Sequence, residues 1–401
     1  MNKAKTISQN EKTEIKKPAL KNQTYIILLI SSIVFALILG AILMIVTGYN
    51  PIEGYGAMLK GAFGTTRAVG NMLARALTLC LTALGMAVAA KAGMFNVGGE
   101  GQLYLGGLAA TMTGVALQGV PAIIGVPCAF ISAMLAGALY AWIPAWLRVK
   151  INVSEVITTI MLNSIAIFVC KWLTNSGGPL VTDDKGVLAG TEAIPDSFAF
   201  NQLIPKSNLS TAIIYAAVIA VLCWYFMQKT SVGLRMKVTG ENPRFAFFSG
   251  LDTDKIMIWS MIASGAICGL VGMFEVYGYQ NRFLDSISNE FYYDGMLVAM
   301  IVNYSPIGII IMSVFFAIID IGATSMELHV GISGEISDII FAVIIFLMAA
   351  EGGITSAWVN RKTQREARKK LREGQDGIPA NENINTVPEG TGSLSEEGGD
   401  K

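Results

Sequence analysis

The chain has 401 residues, of which 53% are hydrophobic and 14% charged, with a formal net charge of +0. Soluble domains carry about 25% charged residues. This composition therefore excludes a soluble enzyme or carrier and predicts an all-α, polytopic membrane protein with about ten transmembrane segments. The neutral total hides a segregation of Lys and Arg into the tails and a few loops, and it makes no case for nucleic acid.

Residues 1–23 are polar, hold six lysines and read as a cytoplasmic tail. The first apolar run, Tyr25–Val46, is long enough to span and passes into Thr47, Gly48, Tyr49, Asn50 and Pro51 without a small-residue cleavage site, so it reads as a span and not a removable signal. The membrane domain is set at 24–351. Its predicted spans are 24–47, 70–92, 100–118, 121–147, 154–174, 209–228 and 256–277. A short helix at 292–302 follows, interrupted by Asn303, Tyr304, Ser305 and Pro306, and then a span to Ser325 and a last one at 334–351. Pro306 removes a backbone donor, so at least one segment is broken or re-entrant. Residues 48–69 read as a loop. Arg67 and Arg75 flank the start of the second span, and Asn152 or Ser154 can cap the fifth, with Glu155 in its first turn. Residues 352–401 form a basic, then disordered cytoplasmic tail, in which Arg361–Arg372 alone holds seven cations.

The positive-inside rule sets orientation. With both termini cytoplasmic, inside segments hold about twenty Lys and Arg, against five outside (Lys60, Arg67, Lys185, Lys206 and Arg282). The loop 175–208 is then external, and the basic loop 229–255 is cytoplasmic.

The stretch Met94–Gly107 packs five glycines with Asn96, Glu100 and Gln102 between two apolar runs. The run before it, Ala76–Ala90, reaches only about 22 Å as a helix, short of a hydrocarbon core of about 30 Å. Two readings stand: a tight cytoplasmic turn, or a glycine-interrupted segment lining a transport path. Ionisable residues within spans are functional candidates. Glu100, Glu275, Asp294 and Asp320 qualify, with Asn96, Gln102, Asn163 and Asn303 as neutral companions. For each acid the competing reading is an interhelical hydrogen bond. Such acceptors suit the hydroxyls of a sugar or nucleoside, and Phe95, Tyr104, Phe274, Tyr277 and Tyr292 could face a base. Gly265, Gly269 and Gly272 are expected to let helices approach closely. The five cysteines lie in apolar runs without CxxC spacing and read as packing residues. The single histidine, His329, has no ligand partner, so no metal site is expected. The chain has no GxxxxGK[ST] phosphate loop and therefore no recognisable ATPase site of its own.

In the cytoplasmic loop, Asn242 and Pro243 suit a helix start and Gly250 its end, predicting a short helix over Pro243–Ser249 that carries Phe245, Phe247 and Phe248. Exposed phenylalanines there need a partner or the lipid surface.

Four stretches together carry a resemblance: Gly93–Gln102, Asn152–Asn163, Gly233–Gly250 with its Gly240, Glu241, Asn242, Pro243 core, and Asp294–Gly308. The chain resembles the permeases of bacterial ABC importers in the branched-chain amino acid, ribose and nucleoside class, and within it the nucleoside (guanosine-type) subfamily. The resemblance implies a subunit of the cell membrane that is not itself an ATPase. ATP and Mg would be bound by a cytoplasmic ATP-binding partner, a second permease (the same or a related chain) would complete the pathway, and an extracellular solute-binding lipoprotein would deliver a nucleoside. It implies that Gly233, Arg235, Gly240, Glu241, Asn242, Pro243, Ala246 and Gly250 couple to the ATPase, and that the glycine break lines the path. Phe245, Phe247, Phe248 and the Asn303–Tyr304 pair depart from the family pattern. The alternatives are the same machinery for a simple sugar or branched-chain amino acid, and an ion-coupled transporter using Glu100 or Glu275.

Overall fold

A computed structural model describes residues 22–175, 178–181, 190–288, 290–336, 338–340, 342–344 and 346–347. The body is the unit Ile26–Ala349. It is built of α1 (Asn22–Val46), α2 (Pro51–Phe63), α3 (Thr66–Lys91), α4 (Gly99–Ala116), α5 (Ala122–Ile151), α6 (Glu155–Thr174), α7 (Ala212–Lys229), α8 (Ser231–Glu241), α9 (Pro243–Phe248), α10 (Thr253–Glu275), α11 (Phe291–Ile301) and α12 (Pro306–Val330). A π-helical turn, Val276–Gln280, continues α10. Among the described residues there is no strand, only isolated bridges such as Gly190 to Leu284. Both tails, 1–21 and 352–401, lie outside the described residues, as do 176–177 and 182–189 of the expected external loop and 337, 341, 345 and 348–351 of the last span at 334–351.

Seven described helices are long and apolar enough to cross a membrane: α1, α3, α5, α6, α7, α10 with its π turn, and α12. The remaining expected segments are α4, which carries Glu100 and Gln102 in its first turns, the short α11, and the incompletely described 334–351.

The helices sort into layers by side-chain size. Every residue of α3 from Leu81 to Ala89 is buried, as is α10 from Cys268 to Glu275, so these two form the centre. Helices α5, α6 and α7 bury mainly small residues on one side and expose large apolar ones such as Ile131, Phe168 and Val221. Glycines set the closest crossings. A Cβ on Gly106 would lie 2.3 Å from the Gly269 Cα, one on Gly137 would lie 2.1 Å from the Gly265 carbonyl oxygen, and one on Gly272 would lie 2.0 Å from that of Leu103. Helices α4, α5 and α10 therefore touch backbone to backbone, where association rests on packing because lipid is as apolar as the side chains.

Three local expectations are corrected. Residues 48–69 are not a plain loop. Asn50, which ends the first apolar run, also caps α2 by accepting from Ile52 N at 3.0 Å, with Pro51 in the first turn. Helix α2 buries Gly54, Met58 and Ala62, one face at four-residue spacing, and packs along α12. Ser154 occupies the N-cap position of α6 but its side chain accepts no capping hydrogen bond, and Asn152 instead ends α5 in the left-handed region (φ 58), where its Oδ1 accepts from Arg148 at 2.9 Å. Glu155 pairs with the same Arg148 at 3.1 Å. The polar insertion after α7 holds a helix of its own, α8, which buries Gly233, Met236 and Thr239 at three-residue spacing.

Candidate solute cavity, glycine joint and coupling surface

The glycine break folds into a buried joint. Helix α3 ends at Lys91, the backbone reverses through Gly93–Val97, and α4 begins at Gly99. Buried non-helical backbone requires internal hydrogen bonds; Val97 N donates to Thr159 Oγ1 at 3.3 Å, and Asn96 both accepts from the backbone and ties the joint together through its side chain. Its Nδ2 donates to Gln102 Oε1 and to Ser264 Oγ, both at 2.9 Å, while its Oδ1 accepts from Gly98 N and Gln102 Nε2, both at 3.1 Å. Tyr292 closes the joint by donating its hydroxyl to the Asn96 carbonyl. The glycines make room for this: a Cβ on Gly99 would meet the Tyr292 ring at 2.0 Å, and one on Gly101 would meet Asn163 Oδ1 at 2.9 Å. Asn163 accepts from Gly101 N and donates to the Tyr293 hydroxyl at 2.6 Å.

Glu100 sits 3% exposed in the same cluster, where its Oε2 accepts from Tyr292 N at 2.9 Å. That N–H is in the first turn of α11, whose own N-cap residue, Glu290, provides no side-chain acceptor. Glu100 is therefore a cap supplied by another helix, with its carboxylate at the positive end of the α11 dipole. Of the candidate aromatics, Tyr292 is taken up in this joint, Tyr104 donates to the Asp285 and Ser288 carbonyls at 3.2 Å, and Tyr277 donates to the Ala110 carbonyl at 2.9 Å.

A second cluster surrounds a cavity of about 260 Å³, lined among others by Asn71, Arg75, Glu275, Tyr279, Phe291 and Asp320. Ligand pockets run from about 300 to 1,000 Å³, so this one suits a small solute. Arg75 stands inside α3. Its Nε donates to Asp320 of α12 at 2.5 Å, its Nη2 to Asp294 of α11 at 2.7 Å, and its Cζ lies 4.2 Å from the Phe291 ring centroid. Across the cavity, Glu275 Oε1 accepts from Thr78 Oγ1 at 2.6 Å. Glu275 is the last α-helical residue before the π turn, a feature frequent at functional sites. Below, α11 and α12 are separated by Asn303 and Tyr304, both in the left-handed region (φ 50 and 58), with Pro306 opening α12.

The sequence candidates thus fall into two groups. Asn96, Glu100, Gln102 and Asn163 meet at the joint, whereas Glu275 and Asp320 line the cavity with Asp294 beside them. Sequence position alone sets Arg75 at the start of a span and does not show its place among three acids. The available signal was a lone arginine well inside an apolar run, which requires a carboxylate partner.

The segment expected to couple lies at the other end of the same helices. The cavity is at the starts of α3 and α7 and the end of α10, while α8 and α9 connect the end of α7 to the start of α10. A Cβ on Gly240 would lie 2.4 Å from the Lys91 carbonyl oxygen, so α8 rests on the end of α3. Asn242 Oδ1 accepts from Phe245 N at 2.9 Å and caps α9, Pro243 is in its first turn, and Gly250 follows its end with φ +81. Ala246 is fully buried, while Phe245, Phe247 and Phe248 are 60%, 66% and 84% exposed. Arg235 and Glu241 are also exposed. At the start of α10, Asp252 accepts from Lys255 N at 3.1 Å and pairs with its ammonium at 2.9 Å, which holds the Asp252 carboxyl below its usual range.

The described helices thus form an apolar bundle with a polar cavity at one end and a short, capped and exposed helix at the other. The chain belongs to the family described as branched-chain amino acid transport system / permease component, whose profile matches residues 68–349. It is 35% identical to the nucleoside ABC transporter permease protein NupB of Lactococcus lactis subsp. cremoris, over 80% of this chain and 89% of that one. It is 31% identical to the guanosine ABC transporter permease protein NupP of Bacillus subtilis, over 84% of this chain and 96% of that one. A glucose ABC transporter permease protein of Haloferax volcanii is 29% identical over 80% of this chain and 86% of that one. No solved structure matches the sequence.

Proposed function

We propose that this chain is a permease subunit of an ATP-driven importer of nucleosides in the bacterial plasma membrane. The observation that carries the solute class is the similarity over most of the chain to permeases named for nucleosides and guanosine. A cytoplasmic ATP-binding subunit binds ATP and Mg, a second permease completes the pathway, and an extracellular solute-binding lipoprotein delivers the solute. The membrane domain, 24–351, crosses with about ten segments and leaves both tails, 1–23 and 352–401, in the cytoplasm. The loop 229–255 then faces the ATPase, the external loop 175–208 lies opposite, and the Arg75 cavity opens outward. Closure of the ATPase pair moves α9, and the movement passes through α8 into α3 and α10 by way of Gly240. Gly233, Arg235, Glu241, Asn242, Pro243, Ala246 and Gly250 shape and present that surface. On the solute side, Glu275, Asp294 and Asp320 are the contact groups. Asn96, Glu100, Gln102 and Asn163 hold the reversal between α3 and α4 as the pathway opens and closes.

Reconstitution with the ATPase, the second permease and the binding protein tests this. Uptake of radiolabelled inosine is expected with ATP and is lost with a hydrolysis-dead ATPase; uptake that persists would remove the ATP-driven reading. A sugar is the second reading, favoured by the glucose relative. Competition between glucose and inosine for uptake separates the two.

A further inference from the structure

The cavity between α3, α10, α11 and α12 holds a polar group that the fold leaves unused. Arg75 has three donor nitrogens, of which Nε and Nη2 bind Asp320 and Asp294, while Nη1 has no hydrogen-bond partner among the described residues. The Arg75 side chain is only 10% exposed. A buried unpaired donor costs free energy, on the order of 1–3 kcal/mol, and a charged one more. Folded proteins leave few such groups, and each calls for an explanation. Arg75 lines the cavity together with Asp320 and Glu275, whose carboxylates are acceptors only, and Phe291 lies against its guanidinium.

Resting on the reading that this chain moves nucleosides, we infer that this cavity is a solute-contacting site of the permease itself, in which Arg75 gives its spare N–H to a carbonyl or ring-nitrogen acceptor of a neutral, hydroxyl-bearing solute. The hydroxyls donate to Asp320 and Glu275. Nη1 is itself closed off from solvent, so the guanidinium turns toward the solute on binding. Three carboxyl groups (Glu275, Asp294 and Asp320) surround one cation here, and among the described residues lining the cavity no second Lys or Arg offsets them, so an anionic solute meets like charge. The site accepts a nucleoside and rejects its phosphate ester. Lysine cannot replace arginine, because a single ammonium lacks the fork that serves two carboxylates and a third acceptor at once.

The test uses the assembled importer without its binding protein. Thr324 is exposed and lines the cavity. In a Cys128→Ser background, which removes the exposed native thiol, the Thr324→Cys variant is labelled with an impermeant maleimide. Inosine is expected to slow labelling several-fold, and inosine 5′-monophosphate is expected to leave it unchanged. Adding Arg75→Lys should abolish protection by inosine while the complex still assembles. Equal labelling with and without inosine, in an importer that transports inosine, overturns the site. Equal protection by the monophosphate overturns its charge selectivity, and protection that survives Arg75→Lys overturns the role of the arginine. Should the importer move no nucleoside at all, the solute reading falls instead, and the sugar that it does transport replaces inosine in the same assay.

Discussion

At Arg75 the competing demands of a membrane interior are visible in one side chain. A guanidinium in hydrocarbon is expensive unless paired, and two carboxylates from different helices pair it. Arg75→Met would leave Asp294 and Asp320 facing each other without the cation. The expected loss is about 1–3 kcal/mol, below the 3–5 of a fully buried pair, because the carboxylates are 32% and 35% exposed. A thermal melt of the purified complex, read by size-exclusion fluorescence, measures it, and Asp294→Asn should cost less. Glu100 gives a contrasting case. Its role as a cap for α11 needs an acceptor and not a charge, so Glu100→Gln should retain most of the folded yield and Glu100→Ala should not. Equal yields for the two would count against the cap.

Among the elements, the crossing of α4 with α10 and the α8–α9 pair respond differently to substitution. Gly272→Ala puts a methyl into the Leu103 backbone, which cannot move as a side-chain end can. Overpacking of this kind costs about 1–3 kcal/mol and should appear as a lower melting temperature with ATPase coupling intact in the protein that folds. Asn242→Ala removes the cap of a six-residue helix at a cost of about 1 kcal/mol. Since α9 is exposed apart from Ala246, the global melt should hardly change, while ATP hydrolysis continues with reduced uptake. Unchanged uptake per ATP would remove α9 from the coupling path.

For the whole molecule, the arrangement of ends is the main result. The starts of α3 and α7 and the end of α10 surround the cavity, and their opposite ends carry α8 and α9. The two surfaces therefore lie on opposite sides of a membrane-crossing bundle whichever way it is inserted. Impermeant maleimide should label the Thr324→Cys variant in intact cells and the Phe247→Cys variant only in inside-out vesicles. The reverse pattern would invert the proposed orientation.

Much of this protein follows from local chemistry that the sequence carries by itself. Long apolar runs must form helices in lipid, because every backbone group needs an internal partner there, and seven such helices are present among the described residues. The cap and stop of α9 were legible at Asn242, Pro243 and Gly250, since capping involves only near neighbours. The amphipathic α2 and α8 were not, because a few small residues at helical spacing read as loop until α12, or the ends of α3 and α10, provide a surface for them. Only the tertiary structure decided how the polar candidates divide. Asn96, Glu100, Gln102 and Asn163 look alike in sequence to Glu275, Asp294 and Asp320, yet one group satisfies itself at a joint and the other faces a cavity through Arg75. The physical reason is that hydrogen bonding between groups about two hundred residues apart depends on helix packing, which neither spacing nor composition encodes.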